Sequence, residues 1–222
     1  MVNFWIIITC LAVPFLILSL VLRGRGRYFC IFLLVGQLAV VCATIINSSV
    51  VLFYDDYAMQ TIIVSPLVEE FFKCVPILIA YFIGRNAFED VLSCALIIGV
   101  TFGFVENCYV VLINIDEISY IDALMRTFGA GLLHSICCLI FLLIINFFLI
   151  TKNPLFIVMI SFGAYLVACS IHSIFNTLIF YNLEICGYSL IYIIGIYCIV
   201  HPLGYERKFV SNKENLIDKI LE

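Results

Sequence analysis

Apolar residues run along this chain in seven blocks, 4–22, 28–53, 58–84, 91–114, 123–150, 155–180 and 188–202, parted by short polar connections. Crossing a hydrocarbon core about 30 Å thick takes about 20 residues of helix, and every block except the short last one is about that long. The pattern predicts an all-α fold, a polytopic transmembrane helical bundle of about seven helices. No basic stretch precedes the first block and no small-residue cleavage site follows it, so a removable signal peptide is not expected. The connections leave no room for a soluble domain. A single integral membrane domain is expected over 1–204, with its motif-bearing core at about 58–180 and a short tail over 205–222.

Composition agrees with the pattern. Only 12% of the 222 residues are charged and 65% are apolar, with a mean hydropathy of +1.21; a soluble domain carries roughly 25% charged residues. The net charge of −4 decides little, and no nucleic-acid partner is expected. Eleven cysteines invite a disulfide or metal reading, but all except Cys186 sit inside apolar runs, Cys137 and Cys138 as the one adjacent pair, with no CxxC. Buried free cysteine behaves as a small hydrophobe, and that reading is preferred.

Lysine and arginine set an orientation. Arg23, Arg25 and Arg27 lie between the first two blocks, Arg85 between the third and fourth, Lys152 between the fifth and sixth, and Arg207, Lys208, Lys213 and Lys219 after the seventh. The alternate connections hold Asp55, Asp56, Asp116, Glu117, Asp122 and Glu184 and no basic residue. The N-terminus is therefore expected outside and the C-terminal tail in the cytoplasm.

Inside the blocks stand residues that an apolar helix should not contain: Glu69, Glu70 and Lys73 on the third, Glu106 on the fourth, Arg126 and His134 on the fifth, and His172 on the sixth, accompanied by Asn107 and Asn176. An ionisable group within a membrane costs several kcal/mol and marks a candidate site. Counted from the outer ends of their spans at 1.5 Å per residue, Glu69, Glu106, His134 and His172 all fall roughly 12–18 Å deep. One polar layer in the outer half of the membrane accounts for all four. Spacing along each helix supports it: Glu69 and Glu70 are four and three residues from Lys73, and His172 and Asn176 are four apart, so each set shares a face.

Two chemistries suit such a layer. Imidazoles and carboxylates are the ligands of a catalytic zinc, which keeps a position open for water and makes that water acidic enough for a nearby glutamate to take its proton. Alternatively, a buried glutamate activates water itself, with Asn176 and a histidine on the oxyanion. Both hydrolyse an amide. Taken singly, each residue also has a structural account: a Glu–Lys pair tying helices together, or Asn and His as interhelical hydrogen-bond glue. Glue does not require two histidines and three glutamates in one layer. Arg126 either joins the site or snorkels to the interface, and His201, beside Pro202, reads as an interfacial histidine.

At these residues the chain resembles the PrsW family of intramembrane proteases, related to the prenyl-protein and bacteriocin-processing membrane proteases. Four motifs carry the resemblance, in order: Pro66-x-x-Glu69-Glu70-x-x-Lys73; Gly99-x-x-Phe102-x-x-x-Glu106-Asn107; Arg126 and, after seven residues, His134; and His172-x-x-x-Asn176. They run from 66 to 176 and cover the middle four spans. The resemblance implies a multi-pass protease of a bacterial cell membrane, glutamate- or metal-dependent, that cuts membrane-anchored proteins, typically an anti-sigma factor. It implies Glu69 and Glu70 as catalytic carboxylate or ligand, Lys73 holding the glutamate pair charged, Asn176 assisting the oxyanion, and Glu106, His134 and His172 completing the site as ligands of one zinc ion, with Arg126 and Asn107 in support. Thr101 stands where the family often has a second glycine, Gly103 where alanine is usual, and Tyr109 one residue earlier than the tyrosine that often follows the Glu-Asn pair. These are packing positions, and no candidate ligand is missing.

Two rival functions remain open at this level. Intramembrane carboxylates and histidines also line ion paths in transporters, though no second EExxK-like segment or hydropathy repeat of the kind transporters show occurs. A non-catalytic scaffold of the same fold is the other. If the protease reading holds, the depth of the layer places cleavage near the extracytoplasmic end of the substrate's transmembrane segment. Mass spectrometry of the products checks this, and cuts at the cytoplasmic boundary would contradict it.

Overall fold

The computed structural model describes residues 2–53, 55–83, 88–148 and 153–197. Arg85, Lys152, His201, Pro202, the end of the last apolar block and the whole 205–222 tail, with Arg207, Lys208, Lys213 and Lys219, lie outside them. The described residues form a bundle of seven helices with no strand: α1 Val2–Val21, α2 Arg25–Val51, α3 over 57–83, α4 Phe88–Ile113, α5 Tyr120–Phe148, α6 Pro154–Phe180 and α7 Glu184–Tyr197. Six follow the apolar blocks to within a few residues at each end; α7 begins four residues before the block at 188. Arg25–Val51, Asp90–Ile113, Tyr120–Phe148 and Pro154–Phe180 are long and apolar enough to cross a membrane. Ile8–Val21 and Glu184–Tyr197 are shorter apolar stretches. α3 has the length but carries Glu69, Glu70 and Lys73.

One feature of α3 departs from the expectation of a plain helix. Its first turn, Tyr57–Met59, passes into a π-helical segment, Gln60–Val64, and only then into the α-helix Ser65–Ile83. π turns are rare and frequently lie at functional sites.

Helix ends are closed by local chemistry. Asp56 accepts from the Met59 N–H at 3.0 Å to start α3. At the start of α5 the Ser119 hydroxyl accepts from the Asp122 N–H and donates to the Asp122 carboxylate, a side-chain N-cap. Asn153 caps α6, with Pro154 in its first turn. Asn182, at φ 58, ends α6 with Leu183 N–H on the Leu178 carbonyl and Asn182 N–H on that of Ile179, the Schellman pattern. Between α1 and α2, Gly24 takes φ 60 and Arg27 folds back on the carbonyls of Leu20 and Leu22. Several residues that carry the charge asymmetry of the connections, Asp56, Asp122 and Arg27 among them, thus also serve helix termini, where an acid suits the N-terminus and a base the C-terminus.

Between apolar helices in lipid the hydrophobic effect supplies little attraction, so close approach through small residues and polar ties carries the packing. α5 lies at the centre, buried along Leu133, His134, Cys137, Cys138, Phe141, Leu142 and Ile145. α4 meets it through Gly99 and Gly103: a Cβ on Gly99 would stand 2.6 Å from the Ser135 Cα and 2.7 Å from the His134 carbonyl oxygen, and one on Gly103 would stand 2.9 Å from the Gly131 Cα. On its other side, Thr101 packs against Gly36 of α2, where a Cβ would meet its own at 2.8 Å. The two departures from the family pattern in this motif, Thr101 and Gly103, are therefore both contact positions. Outward-facing Val100, Phe104, Val158 and Phe162 are exposed, as lipid-facing side chains would be. The ten described cysteines are all free.

Gly99→Ala forces backbone against backbone and is expected to cost about 1–3 kcal/mol, lowering the thermal midpoint in detergent. Gly163→Ala, which meets nothing within 4 Å, should leave it unchanged or raise it, as alanine exceeds glycine in helix propensity. Equal midpoints for the two variants would contradict the packing described.

Candidate active site

Four helices deliver the polar residues to one place. Past Pro66, α3 turns Glu69, Glu70 and Lys73 inward; α4 brings Glu106, α5 His134 and Arg126, and α6 His172. Glu70, Lys73, His134 and His172 are buried. The layer expected from depth counting is thus a contact cluster.

Lys73 is its hub. Its ammonium donates to Glu70 Oε1 at 2.6 Å and to His134 Nδ1 at 2.7 Å, and it sits 4.6 Å over the ring of Phe102, a cation–π contact. Of the two glutamates within a turn, Lys73 therefore pairs with Glu70. Glu70 Oε1 also takes His172 Nδ1 at 2.7 Å. His134 Nε2 reaches Glu106 Oε2 at 2.6 Å, and Arg126 Nη2 lies 3.4 Å from Glu106 Oε1. The two imidazoles stack edge to face, 5.1 Å between centroids.

Donor and acceptor roles follow. A lysine ammonium has no acceptor, so His134 Nδ1 accepts from it and the N–H of that ring sits on Nε2, donating to Glu106. A carboxylate only accepts, so His172 donates through Nδ1 to Glu70 and keeps a lone pair on Nε2. That lone pair faces Glu69 Oε2 at 3.8 Å. A carboxylate fixing one nitrogen of a histidine while the other is left open is the usual support of a metal-binding imidazole.

Charge counting singles out Glu69. Three carboxylates, Glu69, Glu70 and Glu106, meet two cations, Lys73 and Arg126. Glu70 and Glu106 take the cations, whereas Glu69 has the Asn47 amide at 3.4 Å and the His172 ring. Its Oε2 is buried and accepts no hydrogen bond among the described residues, as is true of Oε2 in Glu70 and Glu106; Glu69 differs in having no cation beside it. A carboxylate left without a cation beside an open imidazole nitrogen fits a metal ion. Ligand atoms of Glu69, His134 and His172 all lie within 4.8 Å of one another, and this donor set suits zinc. Both nitrogens of His134 are already bonded, so joining a metal would exchange one of those bonds. The group of possible ligands contains Glu69, where the family resemblance implied Glu106; Glu106 lies beside His134 and Arg126.

Asn176 does not face the cluster with its amide nitrogen; Nδ2 donates to the Thr61 carbonyl at 2.9 Å. Asn107 is buried against α5 beside Gly131, and its amide makes no hydrogen bond among the described residues. Arg126, about 29% exposed, joins the site through Glu106, itself about 28% exposed. Sequence reasoning missed Asn47, whose only signal is a polar residue just inside the end of α2, next to Ser48 and Ser49, where it looks interfacial. It also missed Tyr165, which donates to the Leu67 carbonyl at 2.8 Å.

A family model described as the PrsW family intramembrane metalloprotease matches residues 25–201. No curated protein and no solved structure matches the chain significantly.

Removing the hub exposes the strength of the arrangement. Lys73→Met leaves Glu70 buried without its cation, and breaking a buried pair in this way costs about 3–5 kcal/mol. The thermal midpoint in detergent should fall sharply, and adding Glu70→Gln should recover much of the loss. A single variant as stable as wild type would show that the pair contributes nothing.

Proposed function

Since the chain belongs to the PrsW family of intramembrane metalloproteases, we propose that the cluster on α3, α4, α5 and α6 is its peptidase site, holding one zinc ion through Glu69, His134 and His172. The observation that carries this reading is the Glu69 carboxylate, left without a cation and facing the open nitrogen of His172, inside a trio of ligand atoms spaced within 4.8 Å. The substrate class is a membrane-anchored protein cut in or near its transmembrane segment, an anti-sigma factor being the type that the resemblance brings. The charge pattern of the connections favours a site in the outer half of a cell membrane.

A zinc ion bound there supplies a Lewis acid that acidifies water and polarises the scissile carbonyl. The protein's own groups divide the remaining work. Glu70 fixes the His172 ring through Nδ1, and Lys73 fixes Glu70, so neither needs to reorient during turnover. Glu106, the most exposed carboxylate of the three, is the acceptor for the proton of the attacking water, at Oε1 or Oε2. From there the proton passes to the leaving amine by the same carboxylate, acting as acid after acting as base. His134 Nε2–H and Arg126 hold Glu106 toward the reacting atoms. Glu70, Lys73, His134 and His172 are buried, and the low dielectric around them strengthens their contacts.

Metal content of the detergent-purified protein tests the reading, measured by mass spectrometry beside a Glu69→Ala/His172→Ala variant. About one zinc per chain is expected in the wild type, lost in the variant, together with cleavage of a membrane-anchored reporter that a chelator stops and zinc restores. Glu106→Gln should keep the zinc and lose at least about 100-fold in kcat, the scale of a missing general base. Chelator-insensitive cleavage by a zinc-free wild type would sink the metal assignment.

A further inference from the structure

Just ahead of the glutamates, α3 changes its hydrogen-bond pitch, and Pro66 supplies the reason for what happens there. In the π segment Gln60–Val64 the Ser65 N–H donates to the Gln60 carbonyl, five residues back. The Thr61 carbonyl thereby loses its α-helical donor, which is that same Ser65 N–H. Continuing the π pitch would offer it residue 66, and proline has no N–H. A helical carbonyl is left without a backbone donor in an apolar bundle, where backbone groups must find a partner within the protein. Its partner comes from α6: Asn176 Nδ2, at 2.9 Å.

The same face of α6 supplies further donors to α3. Tyr165 Oη donates to the Leu67 carbonyl at 2.8 Å, Cys169 Sγ lies 3.8 Å from the Pro66 carbonyl, and His172 bonds Glu70. Positions 165, 169, 172 and 176 repeat at four, three and four residues, one stripe of a helix. α2 contributes a second brace, with Gln60 Nε2 on the Asn47 carbonyl at 3.3 Å and Asn47 Nδ2 on Glu69 Oε1 at 3.4 Å. Each residue of an α-helix advances the phase by about 100°. Whether the turn at 60–64 is π or α therefore decides which way everything anchored before it is aimed relative to Glu69 and Glu70.

We infer that Asn176 is a positioning residue: by satisfying the Thr61 carbonyl that Pro66 leaves orphaned, it locks the π turn and so sets the phase at which Glu69 meets His172. Asn47 completes the lock from the other side. This assigns the Asn176 amide nitrogen to the backbone of α3 instead of to the oxyanion of the reaction. The first readout below rests on Glu69 holding zinc; the second does not.

Four proteins decide it: wild type, Pro66→Ala, Asn176→Leu and the double variant. Zinc affinity is measured by chelator competition, and thermal midpoints are measured on the metal-free proteins. Asn176→Leu should weaken zinc binding about 10–100-fold, the usual effect of losing a group that supports a ligand, and should lower the midpoint. In the double variant the backbone at 66 regains an N–H that can reach the freed carbonyls, so its zinc affinity should return to within about threefold of Pro66→Ala alone. An oxyanion donor behaves differently: kcat falls while zinc affinity and midpoint stay put, and Pro66→Ala rescues nothing. That pattern overturns the proposal. Should Asn176→Leu alone fail to fold, the comparison of the double variant with Pro66→Ala carries the test, and a gap of about tenfold or more in zinc affinity overturns it. If the wild type binds no zinc, the metal assignment fails by itself, and the midpoints then decide the lock: coupled losses support it, and additive losses refute it.

Discussion

An ammonium group buried completely among apolar helices is the constraint around which this protein is arranged. Lys73 cannot sit there alone, because taking a charge out of water costs several kcal/mol that only a close, well-aligned partner returns. Glu70 provides that partner one turn away on the same helix, but the carboxylate brings a desolvation cost of its own and has lone pairs left to fill. His172 from α6 takes one of them. The remaining donors of Lys73 need acceptors, and His134 from α5 supplies one. His134 in turn must give its Nε2–H somewhere, which brings in Glu106 from α4, and Glu106 brings Arg126. A single buried charge thus recruits residues from four helices into one hydrogen-bonded chain. In lipid, where burial of apolar surface adds little between helices, such a chain is a large part of what makes their association specific.

Five charged residues in that chain and beside it do not balance. With Lys73 on Glu70 and Arg126 on Glu106, the carboxylate of Glu69 is left with an amide and an imidazole ring. A protein built only to tie its helices together would not keep a third carboxylate in the cluster, since an uncompensated buried charge is the expensive case. The surplus acquires a purpose when a divalent cation is added to the account, and the open nitrogen of His172 lies on the side where that cation would sit.

Much of this was legible in the sequence, for a definable reason. Apolar runs of about 20 residues have few alternatives to spanning helices, so seven blocks gave seven helices. Charged residues inside such runs are too costly to be incidental, so the sequence alone groups Glu69, Glu70, Lys73, Glu106, His134 and His172. Spacing along a helix could not say which of two carboxylates one turn from Lys73 would pair with it, because both are in reach; the choice of Glu70 depends on His172 standing beside it. Nor could it separate Glu69 from Glu106 as the carboxylate that groups with the two histidines, since both lie at the same depth and only the helix phases distinguish them. Asn47 stayed hidden because its neighbours Ser48 and Ser49 make the end of α2 look like an interface.

The phase of α3 is also where a local rule and the global arrangement conflict, and the conflict is informative. A proline at 66 is well placed to open the α-helix Ser65–Ile83, where the first N–H groups have no helical partner to lose. The chain nonetheless continues helically upstream of it, and the π turn with its orphaned Thr61 carbonyl is the consequence. A straight α-helix with alanine at 66 would satisfy its own backbone and be locally more stable. It would also turn the segment that carries Gln60, and with it the brace to Asn47, away from the face that Glu69 uses. Keeping the irregular turn makes physical sense only if the direction of Glu69 matters more than the backbone bond given up, and the donor from Asn176 reduces the cost of that choice. The irregular turn and the surplus carboxylate are two departures from a merely stable bundle, and both converge on the same side chain.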